Sequence, residues 1–189
     1  MTLNIPTILT LLRILIIPFF VLLYYLPYGW AHLSAASLFV IASVTDWLDG
    51  YMARRLNQTS RFGAFLDPVA DKLIVATALV MLVERNPTSF NNIVLALPAI
   101  VIIGREITIS ALREWMAELG QSAKVAVSII GKIKTIAQMI AIILLLYAVH
   151  IGGISSADVG LGFLYVAAVL TLWSMLLYIR AAWPILVKN

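Results

Sequence analysis

The chain has 189 residues, of which 62% are hydrophobic and 12% are charged, and its formal net charge is +4. Soluble domains carry about 25% charged residues and about half apolar ones, so this composition excludes an ordinary soluble domain and indicates a protein whose solvent is the lipid bilayer. The absence of cysteine and the presence of only two histidines exclude disulfides and cysteine-based zinc sites, and leave carboxylates, which favour hard ions such as Mg²⁺ or Mn²⁺, to bind any metal.

A membrane helix needs about 20 mostly apolar residues, and six stretches of the chain meet this requirement. In chain order the predicted spans are Thr7–Leu26, Ala31–Met52, Asp67–Val83, Asn92–Leu119, Gly131–His150 and Val159–Trp183. A polar connector at 53–62 separates the second span from the third, and a Gly152-Gly153 turn separates the fifth from the sixth. We therefore predict an all-α integral membrane protein whose single domain occupies residues 1–189.

The basic residues indicate how the spans are oriented. Six spans place both termini on one side of the membrane, together with the connectors that follow the second and fourth spans. That side carries 12 of the 13 Lys and Arg residues, and Arg85 alone falls on the other. Cytoplasmic loops are enriched in Lys and Arg, so we expect both termini on the cytoplasmic side.

Charged residues also lie inside the predicted spans, close to the cytoplasmic side. They are Asp46, Asp49, Asp67, Asp71, Arg105, Glu106, Lys132 and Lys134. Charges at membrane depth are costly unless they are paired or hydrated. We therefore predict one polar cavity, open to the cytoplasm and walled by the second to fifth helices.

The second and third helices each carry a pair of carboxylates. Spacings of i, i+3, i+4 and i+7 place four residues of the second helix on one face, namely Asp46, Asp49, Gly50 and Ala53. Asp67 and Asp71 are four residues apart on the third helix and also share a face. Four carboxylates in an apolar wall repel one another unless they are protonated or bind cations. Two divalent cations would relieve this repulsion and suit phosphoryl transfer, whereas the alternative is that solvent or nearby arginines neutralise the carboxylates.

The same stretch forms an unbroken motif, D-x2-D-G-x2-A-R-x8-G-x3-D-x3-D, from Asp46 to Asp71. It resembles the signature of the CDP-alcohol phosphatidyltransferase family. The resemblance implies a homodimeric six-helix membrane enzyme with two bound divalent cations, Mg²⁺ or Mn²⁺. It further implies that Asp71 is the general base and that the metals are bound by Asp46, Asp49, Asp67 and Asp71. The residues that it implies for binding the CDP-lipid are Asn4, Thr7, Asp49, Gly50, Ala53, Arg54 and Gly63.

Basic residues near the predicted cavity suggest an anionic acceptor alcohol. Arg105 and Arg113 lie two helical turns apart, and Lys132 and Lys134 open the fifth span. The alternative is that these residues only follow the cytoplasmic enrichment of basic residues. Glu106 is predicted to face away from Arg105, which leaves Arg113 or another helix end as its partner.

Sequence runs around the basic residues, including 104–107 and 131–135, resemble the bacterial branch of the family that uses glycerol 3-phosphate. This resemblance implies CDP-diacylglycerol and glycerol 3-phosphate as substrates and a bacterial cytoplasmic (inner) membrane as the location. It makes Arg105, Arg113, Lys132 and Lys134 candidates for binding the acceptor phosphate. Membrane lipids are the other expected partners, and no nucleic acid is expected.

Three alternatives remain open at this point. Another family member, such as a cardiolipin or phosphatidylinositol-phosphate synthase, would run the same reaction with a different acceptor. A small transporter would explain intramembrane charges, but the outer halves of the second, third and fifth spans are apolar. A scaffold protein would leave the motif unexplained.

Overall fold

A computed structural model describes residues 5–56, 61–119 and 129–186. They form six helices and one very small sheet. The helices are α1 (Ile5–Tyr25), α2 (Ala31–Leu56), α3 (Arg61–Glu84), α4 (Asn92–Glu118), α5 (Ile129–Tyr147) and α6 (Ser156–Leu186). The predicted all-α architecture with six helices is therefore confirmed.

Three segments within the described residues are long and apolar enough to cross a membrane. They are Thr7–Tyr25, Asn92–Glu118 and Ser156–Arg180. The outer surface of the bundle is also apolar, with exposed side chains such as Leu15, Phe19 and Ile100. Apolar exposure on this scale is unusual for a soluble monomer and is what contact with lipid requires. That all six helices cross the membrane stays a prediction.

The connector between α2 and α3 is shorter than predicted. Helix α2 continues past Met52 to Leu56, and α3 begins at Arg61 rather than at Asp67. Alanine, arginine and leucine are strong helix formers, so the helices extend beyond the apolar segments that hydropathy detects. Asp67 consequently lies inside α3 rather than at its first residue.

A two-residue hairpin joins α5 to α6. Strands β1 (His150–Ile151) and β2 (Ile154–Ser155) are antiparallel, and Gly152 and Gly153 between them have φ of 61° and 84°. Positive φ at both central residues is the geometry of a tight hairpin turn, which glycine adopts without steric cost. The predicted glycine turn is confirmed, whereas the strands are too short to give an alternating pattern.

The helices pack in an order that places α1 beside both motif helices. Helix α1 packs on α2 and α3, α2 also packs on α5, and α4 packs on α3 and α6. The α5–α6 contact is the most extensive, and Gly160 lies at its tightest point. A Cβ added to Gly160 would stand 3.0 Å from the Ala141 carbonyl oxygen and 3.0 Å from Leu144 Cβ. The small residue therefore sets how closely α5 and α6 approach.

Candidate functional site

Helix α1 presents two buried polar side chains to the motif carboxylates. Arg13 is 1% exposed and lies between α2 and α3. Its Nη1 donates to Asp46 Oδ1 at 2.9 Å and to Asp71 Oδ1 at 2.5 Å. One turn earlier, the Thr10 hydroxyl donates to Asp67 Oδ1. Three of the four predicted carboxylates are thus gathered around one face of α1, and we name these five residues the carboxylate cluster.

The carboxylate cluster is buried on the α1 side and open on the other. The side chains of Asp46 and Asp71 are 40% and 41% exposed, whereas that of Arg13 is 1% exposed. A charge buried to this degree is stable only when it is paired, and the two carboxylates supply the pairing. Each of these carboxylates has a second oxygen that Arg13 Nη1 does not use.

Roles for Thr10 and Arg13 are not predicted by the sequence pattern, although a signal for them exists. Arg13 is the only charged residue in the first apolar span. An ionisable residue within a membrane helix is by default a candidate functional residue. Its spacing of three from Thr10 places both on one helix face, which is the face that meets the carboxylates.

A second polar cluster joins α4, α5 and α6. Lys134 is 4% exposed and donates to Glu106 Oε1. Arg105 lies 3.3 Å from the same oxygen through Nη1 and donates through Nη2 to Ser174 Oγ at 3.0 Å. We name these four residues the basic cluster. Glu106 therefore compensates the charge of two largely buried cations.

The prediction that Glu106 faces away from Arg105 is wrong. Its carboxylate contacts both Arg105 and Lys134, and within the described residues no ion pair to Arg113 is formed. The long arginine stem lets the guanidinium reach the side chain of an adjacent residue, although the two Cβ atoms point in different directions.

Tyr178 on α6 lies beside both predicted arginines. The Arg113 and Arg105 guanidinium carbons lie 5.2 Å and 5.6 Å from its ring centre, and Arg113 Nη2 donates to its hydroxyl at 2.9 Å. Both distances suit cation–π contacts. The two arginines thus lie on one side of α4, in line with their spacing of eight residues.

One cavity of about 260 Å³ is lined by members of the carboxylate cluster and by Glu106 of the basic cluster. Asp46, Asp71 and Arg13 line one part of it, and Glu106 lines another. Lys72, which follows Asp71, also lines it and donates to Ser110 Oγ on α4. The cavity also touches α5 through Thr135, Gln138 and Met139. Carboxylates and basic groups therefore border the same space between α1 and α5.

Comparison with known proteins identifies the group to which this chain belongs. A family model described as CDP-alcohol phosphatidyltransferase matches residues 3–178. The chain belongs to this family. It is 58% identical over 184 residues to the CDP-diacylglycerol–glycerol-3-phosphate 3-phosphatidyltransferase of Sodalis glossinidius, covering 96% of each chain. It is 56% identical over 182 residues to proteins with the same name from Escherichia coli K12 and Salmonella typhimurium, again covering 96% of each.

For the other predicted site residues of this phosphatidyltransferase family member, the structure describes fewer contacts. Thr7 is buried on α1, one turn before Thr10, and Gly63 is buried in the first turn of α3. Five more belong to helices whose side chains at these positions lie outside the description, namely Asp49, Gly50, Ala53, Arg54 and Lys132. Asn4 lies outside the described residues.

The donor set of the carboxylate cluster suits a hard metal ion. Its oxygens come from Asp46, Asp67 and Asp71, and carboxylate oxygens are the ligands that Mg²⁺ and Mn²⁺ prefer. A cationic group, the Arg13 guanidinium, already lies between two of them. Among the side chains that the structure describes, which do not include Asp49, no three acidic or histidine side chains form a ready metal-binding group. The chemistry of the donors thus fits the divalent cations on which this family generally depends.

Proposed function

We propose that this chain transfers the phosphatidyl group of CDP-diacylglycerol to glycerol 3-phosphate and releases CMP. The observation that carries the proposal is a cavity lined by Asp46 and Asp71, by the cations Arg13 and Lys72, and by Glu106, whose carboxylate contacts Arg105 and Lys134. A phosphoryl transfer to an anionic acceptor needs these two kinds of group side by side. The relatives named for this reaction, which share 56–58% of their residues with the chain, support it.

Asp71 acts as the general base in this proposal. The acceptor hydroxyl oxygen forms a bond to the phosphorus that bears the diacylglycerol, and the bond from that phosphorus to the CMP oxygen breaks. The hydroxyl proton passes to the Asp71 carboxylate, which can accept it from a hydroxyl within hydrogen-bond reach. Arg13 donates to one Asp71 oxygen at 2.5 Å and so orients the carboxylate that would take the proton.

Two divalent cations, Mg²⁺ or Mn²⁺, are part of the proposal. Asp46, Asp49, Asp67 and Asp71 are the residues that would hold them. When bound, such ions offset the charge of the pyrophosphate and of the leaving CMP. Arg13 and Thr10 would keep three of the carboxylates in register, because Thr10 donates to Asp67 on α3 and Arg13 donates to Asp46 on α2 and to Asp71 on α3.

The basic cluster is the proposed site for the acceptor phosphate. Arg105 and Lys134 already contact the Glu106 carboxylate, so the position between these two cations is suited to an oxyanion. Arginine suits phosphate because its planar group can donate two parallel hydrogen bonds. Arg113, beside Tyr178, and Lys132 complete the proposed set.

The proposed contacts to the CDP-lipid surround the motif. Thr7 is buried on α1, one turn before Thr10, and Gly63 is buried on α3, one turn before Asp67, and a glycine allows a ligand to approach the backbone closely. Arg54 would hold a phosphate of the pyrophosphate. The remaining members of the proposed set are Asn4, Asp49, Gly50 and Ala53.

The proposal also includes the membrane location, the orientation and the oligomeric state of the enzyme. Residues 1–189 form one domain in the bacterial cytoplasmic (inner) membrane, in which all six helices span the bilayer. Both termini and the cavity face the cytoplasm, in keeping with the distribution of Lys and Arg, and two copies form a homodimer.

The test uses purified protein in detergent with CDP-diacylglycerol, Mg²⁺ or Mn²⁺, and a panel of acceptor alcohols. We expect CMP release with glycerol 3-phosphate that a chelator and Asp71→Asn both abolish. Release only with a different alcohol would keep the reaction type and overturn the acceptor. Absence of release with every acceptor, from folded protein, would overturn the enzyme assignment and favour a transporter.

A further inference from the structure

Gln138 on α5 is a buried polar residue at the wall of the cavity. It is 4% exposed, and its Oε1 atom is buried without a hydrogen-bond partner among the described residues. The same residue lines the cavity together with Asp46 and Asp71. Gln138 therefore forms part of the wall of the space that the proposed reaction uses.

An unsatisfied amide oxygen is costly in the interior of a membrane protein. Leaving a buried acceptor without a partner is unfavourable, and buried polar groups in native structures almost always have a partner. The neighbouring cavity residues of α5 do not supply one, since the Thr135 hydroxyl donates to the Gly131 carbonyl oxygen. A ligand in the cavity is the natural partner for Gln138.

The position of Gln138 defines which part of a ligand it would meet. Lys134, the proposed phosphate ligand, is four residues earlier and also buried. Residues four apart on a helix share a face, with their Cβ atoms about 5–6 Å apart. A group bound by Gln138 would thus lie about one helical turn from the acceptor phosphate, on the side of Asp46 and Asp71.

We propose that Gln138 determines acceptor specificity by hydrogen-bonding the secondary hydroxyl of glycerol 3-phosphate, an inference that rests on the proposed function. In this acceptor the primary hydroxyl attacks, the phosphate lies at the other end, and the secondary hydroxyl lies between them. A hydroxyl both donates and accepts, as does the glutamine amide. The amide thus matches the middle of the molecule while Lys134 and Asp71 match its ends.

A ribose hydroxyl of the CDP group would offer the same chemistry to the amide. Kinetics separate the two sources, because loss of a ribose contact weakens the binding of CDP-diacylglycerol whichever acceptor is used. Loss of the acceptor contact lowers kcat/KM for glycerol 3-phosphate alone. A purely structural role would lower activity with all substrates in the same proportion.

The experiment compares two acceptors in the complete protein. Glycerol 3-phosphate has the secondary hydroxyl, and 3-hydroxypropyl phosphate has the same ends without it. We expect the unchanged protein to prefer glycerol 3-phosphate by about 10- to 100-fold in kcat/KM, which is about 1.4–2.8 kcal/mol, because the analogue leaves a buried polar group without a partner. Gln138→Met should remove this preference, with little change for 3-hydroxypropyl phosphate.

Two further variants make the result specific. Gln138→Asn keeps an amide on a shorter stem and should retain part of the preference. Ile136→Met changes an outward-facing residue of the same helix that is 60% exposed, and should keep the full preference.

The outcomes that overturn the inference can be told apart. Full preference for glycerol 3-phosphate in Gln138→Met, or an equal fall with both acceptors, overturns the role of Gln138 and leaves the proposed function standing. A raised KM for CDP-diacylglycerol with both acceptors assigns the amide to ribose instead. Failure of the unchanged protein to release CMP with either acceptor overturns the proposed function and the role of Gln138 with it.

Discussion

At the scale of single residues, Arg13 has the clearest physical role in the site. It is a fully buried cation that bonds one carboxylate on α2 and one on α3. Removing one partner of a buried charge pair usually costs about 3–5 kcal/mol, although the half-exposed carboxylates here reduce that cost through solvent screening. Its loss should therefore affect the geometry of the site more than the fold.

We predict that Arg13→Met lowers kcat/KM for CMP release by at least about 100-fold, because misplacement of reacting groups by an ångström can cost that much. Arg13→Lys keeps the charge but not the planar group and should recover part of the activity. CMP release and the melting temperature in detergent are the measurements. Arg85→Met, which changes an exposed arginine in the connector after α3, is the control, and equal losses in both variants would contradict the prediction.

Glu106 supports a second prediction at this scale. Glu106→Gln leaves Arg105 and Lys134 close together without a compensating carboxylate. We expect a lower melting temperature without acceptor and a larger upward shift when glycerol 3-phosphate is added, because a ligand that binds only the folded state stabilises it. Thermal unfolding with and without glycerol 3-phosphate checks this. A smaller shift than that of the unchanged protein would mean that the phosphate does not bind these cations.

At the scale of helices, apolar length predicts which elements exist but not where they end. The six helices follow from their apolar segments, and the turn follows from Gly152-Gly153. The ends of α2 and α3 do not follow from the apolar segments. At the end of α2, for example, Arg54, Arg55 and Leu56 favour a helix although they lie outside the apolar segment. Strands of two residues carry too little pattern to be detected.

The α5–α6 contact gives a prediction at the same scale, with a matched pair of glycines. Gly160→Val would force atoms against the Ala141 carbonyl and Leu144, whereas nothing lies within 4 Å of a Cβ at Gly162. Overpacking typically costs about 1–3 kcal/mol. We expect Gly160→Val to lower the melting temperature and Gly162→Val to leave it nearly unchanged, as measured by unfolding in detergent. Equal effects would mean that the close approach does not contribute to stability.

At the scale of the whole molecule, the candidate site could be predicted in part from the sequence. The spacing of the Asp residues indicates a carboxylate site, and three of them do gather around Arg13 and Thr10. The partners of Arg13, Glu106 and Gln138 depend on how separate helices align along their lengths. Periodicity within one helix contains no information about that alignment, so those contacts come only from the structure.

The orientation of the protein in the membrane gives a prediction at the scale of the whole molecule. The chain has no cysteine, so single introduced cysteines are unique reporters. In intact cells we expect a membrane-impermeant maleimide to label Gly29→Cys, in the connector between α1 and α2, and not Glu118→Cys, at the end of α4. Labelling of both after lysis is the control. The reverse pattern in intact cells would contradict the assigned orientation.

The contacts of Arg13 also bear on how the protein is made. Its two partners follow it by 33 and 58 residues, and ribosomes add about 5–20 residues per second. Arg13 is therefore synthesised roughly 3 to 12 s before Asp71. Until Asp46 has been made the arginine has neither of these partners, and its long side chain can reach the lipid headgroups. The pair of carboxylates that neutralises Arg13 in the folded protein is thus complete only after the third helix has been made.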